Sequence, residues 1–443
     1  MRDEPHTHDI TRRSLIIAGG TGLAITLSGC TGEEPNEQPE AEPTEPTEEE
    51  EEEQEQEQET QEEEEEEEEE ELPDPTETEN ALVGPATLKE WQDAGLVNME
   101  ETDGRERVVV LRVWDTDAYE DGHVPGAVPW GSLHAERVEG LAETAPMVAT
   151  GEQIDEMLAR AGVCSKTSIV LSGPNPLRSA RAYWTLRYWG FPRERVKILN
   201  GGYYEYGQEY ELETGGEPDV PTTGFSVQAN GELNNHLRLG MAQMLQRVDL
   251  INDGERDDVI LENRTPEPGV TIQHAQWDHP ANYHEGDDYY TPYAEGGRWK
   301  SADDIEMYVT GELGISSDDT VITYCGSGYR AAMSFFALDG VLGFDDVSLY
   351  DGSFSRQWMH YTDTADPTPN DAWRTDINDR TNGELPGSDP DTISIDPDLN
   401  EELTDLTVPE ANQVEQADLE YIGDVGDDGG DWGCPSLAGG IAD

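Results

Sequence analysis

Cys325 opens the run Cys325-Gly326-Ser327-Gly328-Tyr329-Arg330. The apolar stretch Thr320 to Tyr324 before it reads as a strand, and Arg330 to Leu338 after it reads as a helix. A cysteine between the two sits at a helix N-terminus, where unpaired backbone N–H groups and the helix dipole favour negative charge. The thiolate is the nucleophilic form of the side chain. Gly326 and Gly328, with the small Ser327 between them, let the loop curl so that successive amides face inward as an anion nest. Arg330 adds a positive charge that does not titrate away. The plainer alternative is a buried structural cysteine, the usual fate of a free one. A glycine-rich strand-to-helix loop is a different context and favours a catalytic Cys325. Cys164 lies in a loop before a strand and reads as structural. His123 and His274 belong to no cluster with ligand spacing, so no metal is expected.

The elements that must position this loop occur twice. In the first stretch a strand pattern, Ser168 to Ser172, leads through the loop Gly173 to Leu177 into a helix-like run from Arg178 to Trp189. A strand, Val196 to Leu199, then enters Asn200-Gly201-Gly202. In the second, Thr320 to Tyr324 leads through the Cys325 loop into a helix-like run, and Val347 to Tyr350 enters Asp351-Gly352-Ser353. Arg178 to Asn200 spans 22 residues and Arg330 to Asp351 spans 21. Each half also opens on an apolar strand, Val108 to Val113 or Val259 to Leu261. Strands alternating with helices predict βαβ units and a parallel sheet. The expected fold is therefore α/β, with two similar domains at 81–215 and 225–361 joined by a Gly-, Pro- and Thr-rich linker.

These residues resemble the rhodanese (sulfurtransferase) family in its two-domain form. The first domain carries Gly122-His123-Val124-Pro125-Gly126-Ala127, then Ser179-Ala180-Arg181-Ala182-Tyr183-Trp184, then Leu199-Asn200-Gly201-Gly202. The second carries the Cys325 loop and Leu349-Tyr350-Asp351-Gly352-Ser353, followed by Trp358. The resemblance covers about 280 residues, some two-thirds of the chain. It implies two tandem rhodanese-like domains, each a parallel sheet flanked by helices, the first inactive because Ser172 or Gly173 stands where the cysteine would be. It also implies sulfur transfer without metal or organic cofactor. The Cys325 thiolate would take the outer sulfur of thiosulfate or 3-mercaptopyruvate as a persulfide, then pass it to a thiol or cyanide. Gly326, Ser327, Gly328, Tyr329 and Arg330 would bind the substrate, with Ser327 and Tyr329 setting donor choice. Gly326-Ser327 leans towards mercaptopyruvate. Arg330 and an exported position lean towards thiosulfate, which is slightly favoured. The chain departs from the family at Thr271 to Ala275, where Gln273 occupies a position that in some relatives holds an arginine contacting the substrate. Glu262 and Arg264 read as a structural pair.

Other readings of the same loop are weaker. Phosphatase nests have five residues between cysteine and arginine, but here only four separate Cys325 from Arg330, a ring better suited to sulfur than to phosphate. A persulfide carrier that does not turn over, or a degenerate binding module, is the main alternative to an enzyme.

Charge and the two ends set the context. The chain has 443 residues, 99 acidic against 26 basic, for a formal net charge of −73. That excludes electrostatic binding to nucleic acid or an anionic membrane surface. Residues 33–80 hold 28 acidic residues and no Lys or Arg, so 31–80 is expected to be an extended, disordered linker. The remainder is still acidic, and only four lysines occur beside 22 arginines, a composition that resembles proteins of salt-loving archaea. Thr11-Arg12-Arg13-Ser14-Leu15 is a twin-arginine pattern, and Leu27-Ser28-Gly29-Cys30 resembles a lipobox. Residues 1–30 thus predict an export signal with lipid on Cys30 anchoring the protein to the outer face of the cell membrane. Residues 362–443 lack apolar periodicity and are expected to be an acidic, mostly disordered tail. Within them, the island Trp432-Gly433-Cys434-Pro435 is assigned no function.

Overall fold

The computed structural model describes residues 72–442 apart from 101–104, 115, 141, 222, 231, 286–296, 363–372, 386–411, 424–433 and 436–440. The expected export signal, Cys30 and nearly all of the acidic segment lie outside the described residues. Residues 71–443 form one compact unit.

Its strands, in chain order, are β1 (Leu82–Val83), β2 (Arg107–Val113), β3 (Val128–Trp130), β4 (His134–Glu139), β5 (Ala142–Val148), β6 (Thr167–Ser172), β7 (Val196–Leu199), β8 (Arg238–Leu239), β9 (Val259–Glu262), β10 (Thr271–Ile272), β11 (Gln276–Trp277), β12 (Val321–Tyr324), β13 (Val347–Tyr350) and β14 (Thr381–Asn382). The helices that matter for the site are α1 (Gly151–Ala161), α2 (Pro176–Tyr188), α3 (Ala331–Phe335) and α4 (Gln413–Gly423). The first sheet runs β1-β7-β6-β2-β3 and the second β8-β13-β12-β9-β11. All pairings in both sheets are parallel. The two orders coincide element for element, so the repeat read from spacing is a repeat of topology. Val108 to Leu111 are fully buried, as a strand covered on both faces of a parallel sheet requires.

The sequence motifs account for how the helices start. α2 is capped by the Asn175 side chain, which accepts from the Arg178 N–H at 3.0 Å, and Pro176 supplies its first turn. α1 starts with a capping box between Thr150 and Gln153. The helix expected from Arg330 to Leu338 is only partly α. It begins at Ala331 and widens at Phe336–Val341 into a π-helix. The widened turn meets the first domain, where the Tyr183 ring lies 4.8 Å from Phe336 and its hydroxyl donates to Asp339 at 2.6 Å. Arg187 also pairs with Asp339, at 3.0 Å. Burial pushes the Asp339 carboxyl up, but Arg187 and Arg193 outweigh that and hold it below its usual value. α2 therefore packs on the helix that carries the cysteine loop. One apolar core runs through both domains, including Val109, Leu111 and Tyr183 from the first and Leu261, Val321 and Phe336 from the second.

The expectation that 362–443 is mostly disordered meets exceptions among the described residues. Trp373 is buried and stacks on Tyr361 at 5.7 Å, and Thr381–Asn382 pairs antiparallel with Thr271–Ile272. Further on, α4 docks on the first domain. Arg137 grips Asp418 with two hydrogen bonds of 2.6 and 2.9 Å, the Tyr188 hydroxyl donates to Asp418 at 2.8 Å, and Gln413 accepts from the Gly140 N–H at 2.9 Å. Val414 is buried in the core and Tyr421 and Ile422 pack against it, so the ion pair lies within a short apolar face. Asp418 is 2% exposed, so removing its partner leaves a buried carboxylate uncompensated. Arg137→Ala is expected to lower the unfolding free energy by about 3 kcal/mol in chemical denaturation. An unchanged midpoint would mean that α4 adds nothing to the fold.

Candidate active site

Cys325 follows β12 directly and is 1% exposed. It is a free thiol, whereas Cys164 is disulfide-bonded and also buried. The loop's backbone is pinned from the segment after β13. The Phe354 N–H donates to the Cys325 carbonyl at 2.9 Å, and the Cys325 N–H reaches Ser353 Oγ at 3.5 Å. Ser353 is held at φ +57°, a left-handed conformation that a serine rarely adopts. The Ser327 N–H points at Cys325 Sγ from 3.5 Å.

Gly328 sits at φ +78°, and a Cβ there would lie 2.7 Å from Arg181 Nη1. A side chain at this position would be strained by that φ and would press on the Arg181 guanidinium. Gly326 and Ser327 are half-buried, Tyr329 is 9% exposed, and Arg330 is half-buried where the helix begins. The substrate-binding set proposed from the sequence is thus kept together around Cys325 by the loop itself.

Spacing within one domain does not reveal what faces this loop. The first domain presents Trp114, His134, Arg178 and Arg181. The Arg178 guanidinium lies 3.7 Å over the Trp114 ring and 4.5 Å from the centre of the Tyr329 ring. Arg181 lies 5.4 Å from the same tyrosine ring. His134 Nδ1 is 2.6 Å from the Tyr329 hydroxyl. Burial and the Arg181 guanidinium, with Arg178 behind it, hold His134 below its usual pKa, so its ring is neutral near pH 7. Burial pushes the Tyr329 hydroxyl up against the opposing pull of Arg181 and Arg178, so it keeps its proton. The available signal in the sequence was position: Arg178 holds in the first repeat the place that Arg330 holds in the second.

Beneath the loop is a buried charge network. Asp351 Oδ1 accepts from Arg181 at 2.9 Å, while Oδ2 accepts from Arg238 at 3.2 Å and from the Val148 N–H at 2.7 Å. Arg238 continues to Glu139 at 3.1 Å. All four side chains are at most 1% exposed. Two domains and the strand hairpin β4–β5 meet at one carboxylate.

The remaining candidates lie elsewhere. Arg264 is bound to its neighbour Glu262 by bonds of 2.9 and 2.7 Å and lies 3.7 Å over Phe354, as the structural pairing predicts. Gln273 donates its N–H to the Arg380 carbonyl beside β14, within the contact made by the tail. His123 stacks on Tyr119 at 3.9 Å, and His274 bonds Asn252 at 2.7 Å. Among the described residues no group of three His, Cys, Asp or Glu side chains is placed to hold a metal ion.

A repeated parallel α/β domain with a free cysteine in a tight strand-to-helix loop defines a class. Residues 91–209 match the rhodanese-like domain, so the first of the two repeats carries that domain. It is 28% identical over 285 residues to a Haloferax volcanii protein named "Putative thiosulfate sulfurtransferase", covering 61% of this chain and 91% of that one. It is 26% identical over 268 residues to a Thermus thermophilus sulfur carrier protein, covering 57% and 88%. Among solved structures it resembles a 3-mercaptopyruvate sulfotransferase of Escherichia coli with 22% identity and a TM-score of 0.46, over 62% of this chain and 99% of that one.

Proposed function

We propose that the protein is a sulfurtransferase that carries a sulfane sulfur as a persulfide on Cys325. The observation that carries this reading is the free Cys325 in its loop, with the Ser327 N–H on its sulfur and a cationic face of the first domain opposite. In the first step the Sγ thiolate attacks the outer sulfur of thiosulfate. A new S–S bond forms to Sγ, the S–S bond of thiosulfate breaks, and its electron pair leaves on sulfite. In the second step cyanide or a thiolate attacks the outer persulfide sulfur, and the Cys325 thiolate is regenerated. Thiosulfate is the preferred donor in this reading, with 3-mercaptopyruvate second.

Intact mass tests it. Protein incubated with thiosulfate in molar KCl is expected to gain the mass of one sulfur atom, which cyanide then removes as thiocyanate. No gain with thiosulfate or mercaptopyruvate, in folded protein, would sink the reading. The second reading, a carrier without small-molecule turnover, has support from similarity to the sulfur carrier protein. It predicts a gain that cyanide does not discharge. We also propose, from sequence alone, that residues 1–30 export the chain and that lipid on Cys30 holds it at the outer membrane face, with the acidic linker as spacer.

A further inference from the structure

Arg178 belongs to the domain that has no cysteine in its loop, yet it stands over the cysteine loop of the other. Its guanidinium covers the Trp114 ring at 3.7 Å and approaches the Tyr329 ring to 4.5 Å. Its side chain also hydrogen-bonds Tyr329, and a guanidinium carries five N–H donors in one plane, a fork that suits an oxyanion. Trp114 and Tyr329 are themselves edge-to-face at 6.2 Å, and His134 stacks on Trp114 at 6.3 Å while bonding the Tyr329 hydroxyl. Arg178 is therefore placed by three aromatic side chains from both domains.

A second cation backs it. Arg181, one helical turn further along α2, is fully buried, and only its Nη2 is paired, to Asp351 at 2.9 Å. Its Nε and Nη1 find no hydrogen-bond partner, and Nη1 lies against Gly328. The chain as a whole carries a net charge of −73. An anion repelled by the general surface is drawn to a cleft wall that carries two arginines.

We propose that Arg178 is a specificity-determining residue that binds the anionic end of the sulfur donor, the sulfonate-like oxygens of thiosulfate or the carboxylate of a mercapto-acid, and that Arg181 supports it. This rests on the reading of Cys325 as the sulfur-accepting thiolate. The donor is held from one domain and cleaved on the other, so a first domain without a nucleophile is still half of the site.

The test separates the two half-reactions in the full chain. Arg178→Gln and Arg178→Lys are compared with the parent for persulfide loading from thiosulfate and, separately, for cyanide discharge of protein already loaded. Loss of a charge-assisted hydrogen bond predicts about a 10- to 100-fold higher thiosulfate concentration for half-maximal loading in Arg178→Gln. Partial rescue is expected in Arg178→Lys, and discharge should stay within about twofold of the parent. Loading by Arg178→Gln at the parent's concentration dependence would overturn the proposal while leaving the Cys325 chemistry intact. Equal slowing of loading and discharge would also overturn it, because it would mean a general distortion. Failure of the parent to load any sulfur would overturn the sulfurtransferase reading and this proposal together.

Discussion

Cys325→Ser is expected to gain no sulfur from any donor and to lose turnover by a factor on the order of 10⁴ or more, since the residue proposed to form the covalent intermediate is removed. The substitution is nearly isosteric. It leaves the loop's two pinning contacts, which use the Cys325 backbone N–H and carbonyl. Its effect on stability should therefore be small beside its effect on chemistry, about 1 kcal/mol for a buried hydroxyl in place of a thiol. Cys164 cannot substitute for it, being buried and already disulfide-bonded. Mass spectrometry of the loaded parent and variant, each digested to peptides, decides the matter. Sulfur on the Cys325 peptide of the parent and none anywhere in the variant is the expected pattern. A variant that still gains sulfur would move the chemistry to another residue.

How far this could be foreseen differs between loop and cleft. The loop was legible because its chemistry is local. A strand, a cysteine, two glycines and a helix start are contiguous in sequence, and the motifs repeat at spacings of 22 and 21 residues. The identical strand orders follow from that repeat. The cleft was not legible, because Trp114, His134, Arg178 and Arg181 come from three separate parts of the first domain and reach Tyr329 only once the two domains dock. Arg181 is a case in point: its motif was recognised as a family feature, but its partner Asp351 is 170 residues away. The π-widening after Phe335 was also hidden. It depends on packing of Phe336 between Tyr183 at 4.8 Å and Trp299 at 4.6 Å, which helical periodicity cannot anticipate. In the tail the packed segments are short and separated, held by anchors such as Trp373, Val414 and Asp418, so no long apolar pattern marks them in the sequence.

Asp351 is where stability and function are most tightly joined, and its removal should have the largest structural effect. Burial alone would push its carboxyl up. The guanidiniums of Arg181 and Arg238, with the Val148 N–H, outweigh that and hold it below the usual carboxylate value. Asp351→Ala leaves two buried guanidiniums facing each other across a void, with Glu139 still compensating Arg238 but nothing compensating Arg181. Breaking a buried pair in this way costs about 3–5 kcal/mol, because the remaining charge stays desolvated. Asp351→Asn keeps an acceptor but not the charge, and should fall between the parent and Asp351→Ala. The pH dependence gives an independent readout. A carboxyl whose folded pKa is depressed contributes stability that is present above its unfolded value, near 3.8, and is lost as pH falls through the folded value. The gap in stability between parent and Asp351→Ala should thus be full at pH 6 and narrow below about pH 4. Loading from thiosulfate should weaken as well, since Arg181 underlies Gly328 and stands behind Arg178 at the Tyr329 ring. A gap under about 1 kcal/mol at pH 6, or one that does not change with acid, would show that the arginines find other partners and that this carboxylate does not join the domains.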